Sequence, residues 1–301
     1  MATKLPLIVR KSVRDDWETP KPGLEAEISQ ILGTPWTVNI DPAAVFVHAA
    51  ESWAKDNFGR VIVSYAEGAV ANLKRFVAKY GEDGTTELNE VAFTHSITLE
   101  DDDSGRWSYC GCDIKDGKLR ILYGPTYLGT NVTDATAEID KAVNDAPKPE
   151  TAAGGLDFDA RQSVKVQYES AIGALKDKLD KILGVSIKLT PNFEANFAIL
   201  SKHPDGLSSG WQKAIGDGTL SYFESLLDNL KRLKFDSDEM LREGFTDVVN
   251  KNEVVLKVVD KLRAGSYNEV FPEDGVLYIQ TIPNYWRTNT SDACSEILNV
   301  L

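Results

Sequence analysis

The stretch DGKLRILYGPTYLGTNVTDATAEI, Asp116–Ile139, is written again as DGVLYIQTIPNYWRTNTSDACSEI, Asp274–Ile297. Twelve of the twenty-four positions are identical at an offset of 158 residues. Unrelated segments of ordinary composition would agree at roughly one position in sixteen. Upstream, SYAEGAVANLKR (Ser64–Arg75) returns as SYFESLLDNLKR (Ser221–Arg232), with seven of twelve positions identical at an offset of 157. Two shorter blocks precede these. Ile31-Leu32-Gly33 meets Ile182-Leu183-Gly184 at 151, and Val38–Pro42 meets Ile187–Pro191 at 149. Four blocks in one order, with small drifts in spacing, read as two copies of one unit. The drifts put the insertions in loops, chiefly between residues 191 and 216.

The resulting division is an N-terminal extension (1–23), a first repeat (24–143), a linker (144–158) and a second repeat (159–301). Asn144–Gly155 is rich in Ala, Pro and Gly, which suits the linker.

Within a unit the apolar periodicity sets the elements. Val164, Tyr168, Ile172, Leu175, Leu179, Ile182 and Leu183 recur at spacings of three and four, a helix closed by Gly184. Copy one has a shorter form ending at Gly33, whose start is limited by Pro20 and Pro22. A short strand follows (Trp36–Ile40; Ser186–Leu189), then a helical stretch (Ala43–Trp53; Phe193–Leu200). The main helix is expected over Ser64–Tyr80 and Ser221–Leu233, with Glu67, Lys74 and Arg75, and Glu224, Lys231 and Arg232, on its solvated face. Asn89–Leu99 alternates as a strand. Trp107–Ile114 and Lys118–Tyr123 flank Asp116-Gly117, a hairpin turn repeated at Asp274-Gly275. A closing helix is expected at Asp134–Val143 and Asp292–Leu301, with Thr133 or Ser291 as N-cap. Each unit is therefore expected to be α+β, its helices packed on a small antiparallel sheet. The two copies are expected to cover each other about a pseudo-twofold axis, like a homodimer fused by a linker.

Composition narrows the function classes. The 301 residues are 42% apolar and 26% charged, a globular balance that excludes a mainly disordered chain. Thirty-three Lys and Arg against forty-six Asp and Glu give a net charge of −13. Such a surface repels phosphate, so neither nucleic acid nor an anionic membrane is an expected partner. The apolar run Leu5–Val9 is too short for a signal-peptide core, and no window approaches the roughly 18 apolar residues of a membrane helix. A cytoplasmic protein is the expectation, in which Asn131-Val-Thr133 and Asn289-Thr-Ser291 carry no sugar. The odd number of cysteines (Cys110, Cys112, Cys294) argues against a disulfide framework.

No motif announces catalysis. The chain has no P-loop, no G-x-G-x-x-G and no G-x-S-x-G. Cys110-Gly111-Cys112 with Cys294, His48, His95 and His203 makes no zinc spacing, and copy two has Asn268 and Val270 at the cysteine positions. Glu100–Gly105 is acidic but lacks the distant Glu of a calcium loop. No metal and no cofactor are expected. The best binding candidates are mirrored. One is the loop with Tyr127, Thr130 and Asn131, matched by Tyr285, Trp286, Thr288 and Asn289. An aromatic ring beside amide and hydroxyl groups can stack on a ligand and fix its orientation. The second is Tyr65 with Asn72, matched by Tyr222 with Asn229, at the edge of the main helix's apolar stripe. Structural duty at a helix start or helix edge competes with ligand contact at all of them.

The chain thus reads as a non-catalytic binding protein with two homologous domains, bivalent for a small-molecule, glycan or protein ligand. The alternative is an enzyme with one pocket at the interface between repeats, using unmirrored residues such as His48, Glu51, Cys110 or Asp113. A self-assembling structural protein is a third class.

Overall fold

The computed structural model describes residues 5–102, 104–147 and 155–301. The chain forms two compact units, Met1–Thr151 and Ala152–Leu301. Residues 148–154 of the expected linker, and Asp103 of the acidic turn, lie outside the described residues.

Unit 1 opens with α1 (Leu7–Ser12), which runs into a wider π-helical turn, Val13–Glu18. Then come α2 (Lys21–Leu32), β1 (Thr37–Val38), α3 (Pro42–Phe46), α4 (Ser52–Asp56) and α5 (Phe58–Val91). The unit closes with β2 (Ser96–Asp101), β3 (Cys110–Lys115), β4 (Lys118–Tyr123) and α6 (Ile139–Asp145). Unit 2 runs α7 (Phe158–Ser163), a π-helical turn at Val164–Glu169, α8 (Ser170–Leu183), β5 (Lys188–Thr190), α9 (Phe193–Leu200), α10 (Ile215–Arg232) and α11 (Glu239–Val248). It ends with β6 (Glu253–Val258), β7 (Asn268–Glu273), β8 (Val276–Thr281) and short 3₁₀ turns. Among the described residues, no helix is long and apolar enough to cross a membrane.

Each unit is α+β with one four-stranded sheet, but the sheets are mixed rather than antiparallel. The orders are β1-β2-β4-β3 and β5-β6-β8-β7. Among the described residues only the hairpins β3–β4 and β7–β8 are antiparallel, and β1, β2 and β4 are parallel, as are β5, β6 and β8. The Asp-Gly turns do make the hairpins, with Asp116 and Asp274 both at positive φ. The physical reason for the correction lies in the connections. β1 reaches β2 through helices, and such a crossover returns the chain parallel to its start. The loop after β2 then carries the chain past one strand position, so β4 folds back between β2 and β3.

Other expectations shift in length. Asn89–Val91 ends α5 rather than starting a strand, so β2 begins only at Ser96. Gly81 breaks α5 with φ 57° and ψ −139°. β3 starts at Cys110, not Trp107. The closing helix survives as α6 in unit 1, but Asp292–Leu301 folds as 3₁₀ turns. In the first ladder Thr37 pairs with Ser96, and in the second Lys188, 151 residues after Thr37, pairs with Glu253.

The core of unit 2 brings Tyr222, Phe223, Leu226 and Leu230 of α10 together with Val254, Leu256, Leu277 and Ile279 of the sheet. α5 presents the corresponding buried face in unit 1 through Tyr65, Leu73 and Phe76. Residues 7–18, read as an extension, are helical and pack on α5. The crossing is tight: the Gly59 N–H donates to Ser12 Oγ at 3.0 Å, and Gly216 N–H to Ser163 Oγ at 2.8 Å. A Cβ on Gly59 would lie 2.1 Å from the Ser12 carbonyl oxygen, and one on Gly216 2.3 Å from that of Ser163.

Candidate functional site

The loop after β4 starts where the parallel strands β2 and β4 end. Crevices outside the carboxyl ends of parallel strands are the usual ligand positions in such sheets. Two buried side chains of the main helix hold this loop. The Tyr65 hydroxyl accepts the Gly129 N–H at 2.9 Å, and the Tyr222 hydroxyl accepts the Arg287 N–H at 3.1 Å. Both tyrosines are 0% exposed, and burial pushes both phenols up. Asn72 Nδ2 donates to the Thr133 carbonyl at 2.8 Å and to Thr136 Oγ1 at 3.0 Å. Asn229 Nδ2 donates to the Ser225 carbonyl at 2.9 Å and, at 3.4 Å, to that of Ser291. Their amide oxygens accept from Arg75 at 2.9 Å and Arg232 at 2.8 Å. These four residues stand behind the loop rather than on its outer surface.

Within the loop, Thr130 N–H donates to the Tyr127 carbonyl at 2.9 Å, and Thr288 N–H to that of Tyr285 at 2.8 Å. Asn131 (φ 53°) and Asn289 (φ 50°) take left-handed backbone, which Asn tolerates. Their carbonyls accept from Asp134 N–H at 2.8 Å and Asp292 N–H at 3.1 Å. A strand residue ties each loop down as well. The Cys110 thiol donates to the Asn131 carbonyl at 3.2 Å, and Asn268 Nδ2 to that of Asn289 at 3.0 Å. Trp286 is buried, its ring 5.5 Å from that of Tyr222. Buried Trp286 Nε1 and Asn268 Oδ1 have no hydrogen-bond partner among the described residues.

What the loop does expose is an aromatic edge. Tyr127 meets Tyr109 edge to face, with centroids 5.0 Å apart at 73°. Tyr285 meets Tyr267 in the same way, at 4.7 Å and 66°. Tyr109, Tyr127 and Tyr267 are 46%, 45% and 42% exposed, enough for a ligand to cover their rings, and Tyr285 is half-buried. Tyr109 and Tyr267 are absent from the sequence-derived candidates. Their signal was the dipeptide Ser108-Tyr109, repeated as Ser266-Tyr267 just outside the matched blocks.

The unmirrored residues have separate surroundings. The His48 ring meets Tyr123 edge to face at 5.6 Å, and Glu51 precedes α4. Asp113 holds Arg120 through contacts of 2.7 and 2.8 Å, and Glu100 takes the same guanidinium at 3.2 Å. Among the described residues, no group of three or more His, Cys, Asp or Glu side chains could hold a metal ion. The thiols are unpaired. Burial pushes Cys110 up to about 11, with Asp134 adding to the shift, and Cys112 and Cys294 up to about 12. The thiolate is the reactive form. All three should therefore label slowly with iodoacetamide at neutral pH and fast once unfolded. A thiol labelling quickly in the folded protein would contradict this environment.

Comparison with family models, curated proteins and solved structures finds no match for this chain.

Proposed function

We propose that the chain is a tandem duplication of one α+β unit, and that it works as a non-catalytic, bivalent binding protein for a repeated, neutral glycan. The observation that carries this reading is the pair of Tyr–Tyr edges, Tyr109 with Tyr127 and Tyr267 with Tyr285, at matching places in the two units. Support for the duplication comes from the ladders: Ile97 pairs with Leu119 and Val254 with Leu277, the same partners 157 and 158 residues later. Positive φ recurs on the same footing at His95 and Asn252, Asp116 and Asp274, and Asn131 and Asn289.

An exposed tyrosine pair offers flat apolar area at low entropic cost, with hydroxyls at its margin. Sugar rings present an apolar face and polar rims that such a surface fits. The net charge of −13 disfavours anionic glycans. Two sites on one chain raise avidity for a repeated ligand without any new contact. The three unpaired cysteines suit the cytoplasm, where thiols stay reduced.

The test is a panel of neutral oligosaccharides, with hits titrated by calorimetry. Two equivalents should bind. Tyr127→Ala or Tyr285→Ala should each weaken one site at least tenfold, about 1.4 kcal/mol, and leave the other. The double variant should bind neither while keeping its circular dichroism. A single equivalent, indifferent to both substitutions, would overturn the reading.

A further inference from the structure

β1 and β5 are the edge strands of their sheets, and the two units treat that edge differently. In β1, Thr37 and Asn39 turn their N–H groups inward, to the His95 carbonyl at 3.0 Å and the Ile97 carbonyl at 2.7 Å. The outward N–H groups are those of Trp36 and Val38. Side chains of α2 take both: Trp36 N–H donates to Ser29 Oγ at 2.9 Å, and Val38 N–H to Glu25 Oε1 at 2.8 Å. Both of these outward N–H groups are thus taken up from within the unit. Sealing an edge in this way is how sheets avoid unwanted additions.

In β5, 151 residues on, half of the seal is missing. Lys188 N–H turns inward to the Asn252 carbonyl at 2.8 Å. Outward, Ile187 N–H donates to Asp180 Oδ1 at 2.8 Å, Asp180 standing where unit 1 has Ser29. The next outward group is the Leu189 N–H. Unit 1 caps its counterpart with Glu25, but unit 2 has Lys176 there, an ammonium that cannot accept. Among the described residues nothing accepts the Leu189 N–H.

The space beside this edge is also open. In unit 1 the positions corresponding to this space carry Trp17 and Trp36, each 2% exposed, and Lys21 lies 6.0 Å from the Trp17 ring centre. Their counterparts in unit 2 are Tyr168, Ile187 and Ile172, and Pro22 gives way to Gly173. The smaller set leaves a groove of about 680 Å³ along α8 and β5, floored by Tyr168, Ile172 and Ile187. Its charged rim is Lys176, Lys188 and Lys251, and among the described residues no carboxylate lines it. Asp180 offsets Lys176 at 2.5 Å and Glu253 offsets Lys188 at 2.8 Å from outside the groove, and Lys251 adds a third positive charge. Three lysines against these two carboxylates leave one net positive charge beside the edge, on a chain of net charge −13.

We propose that the β5 edge of unit 2 docks an extended, acidic segment of a partner protein, which adds to the sheet as a further strand. The open Leu189 N–H and carbonyl supply main-chain pairing. The apolar floor takes alternate side chains, and the lysine rim meets the carboxylates between them. The proposal rests on the residue-by-residue match of the two units, not on the tyrosine edges.

The probe is a labelled, end-blocked peptide of alternating Asp or Glu and Val, followed by fluorescence anisotropy on the full chain. Binding is expected, weakening at high salt. Lys176→Glu installs the residue that closes the unit 1 edge and should weaken binding at least tenfold. N-methylation of the peptide amides facing β5 should do the same. If Lys176→Glu does not fold, Lys251→Glu, on an exposed side chain, reads the same rim and should weaken binding several-fold. Four results would overturn the proposal: no binding of the probe, binding unchanged by the charge-reversed variant, binding indifferent to N-methylation, or self-association of the wild-type chain that the same variant abolishes. The third would mean charge adsorption alone, and the last would make a second copy the occupant.

Discussion

Gly216→Ala is expected to destabilise unit 2 by about 2–3 kcal/mol, the cost of forcing atoms into a packed crossing. The new Cβ would sit 2.3 Å from the Ser163 carbonyl oxygen and 2.7 Å from its carbon. Both are backbone atoms of a helix that is itself pinned, so relief requires α7 to move off α10. Movement would also break the Gly216 N–H bond to Ser163 Oγ. Gly244→Ala is the control. It lies in α11 with nothing within 4 Å of its Cβ position, and should stabilise by about 0.5–1 kcal/mol through helix propensity alone. Urea midpoints of the two variants should therefore move in opposite directions. Equal, small shifts would mean that the α7–α10 crossing is looser than described.

Asn196→Ala should cost about 2–4 kcal/mol, for a different reason. Asn196 is 2% exposed. Its amide donates to the Pro191 carbonyl at 2.8 Å and to the Leu256 carbonyl at 3.2 Å, and its oxygen accepts the Val258 N–H at 2.7 Å. Truncation strands a buried backbone donor at the end of β6. The loss should show as faster amide exchange at Val258 as well as a lower urea midpoint. Val45 stands at the matching place after β1, so unit 1 has no such pin and should be insensitive to Val45→Ala beyond the ordinary cost of a small cavity. An unchanged midpoint for Asn196→Ala would show that water replaces its bonds.

These two residues also mark what the sequence could and could not say. Helix existence was legible from periodicity, and its ends from Gly33 and Gly184, whose φ of 69° and 73° close α2 and α8. The hairpins were legible from Asp-Gly. Strand direction was not, because turn chemistry is local, whereas β4 enters between β2 and β3 by long-range pairing. Ser96–Leu99 is buried on both faces, as parallel strands covered on both sides are, yet its polar–apolar alternation, Ser-Ile-Thr-Leu, reads as a strand with one wet face. The Ser–Gly crossings at Gly59 and Gly216 were hidden for a simpler reason. A glycine inside a helical pattern shows no partner until the packing is known. At the candidate site, Tyr65 and Tyr222 stood out because they repeat, yet repetition does not separate a residue that holds a loop from one that the loop displays. The displayed rings, Tyr109 and Tyr267, lay just beyond the matched block, where identity falls away on either side of the dipeptide.

The two units are held here to share one template, strand for strand. The most direct test is to record nuclear Overhauser contacts across the central ladders of the intact chain. The account predicts parallel contacts that place Ile97 opposite Leu119 in one unit and Val254 opposite Leu277 in the other. A slip of one residue in either ladder would swap its inner and outer faces, and that slip, or antiparallel contacts in either unit, would contradict it.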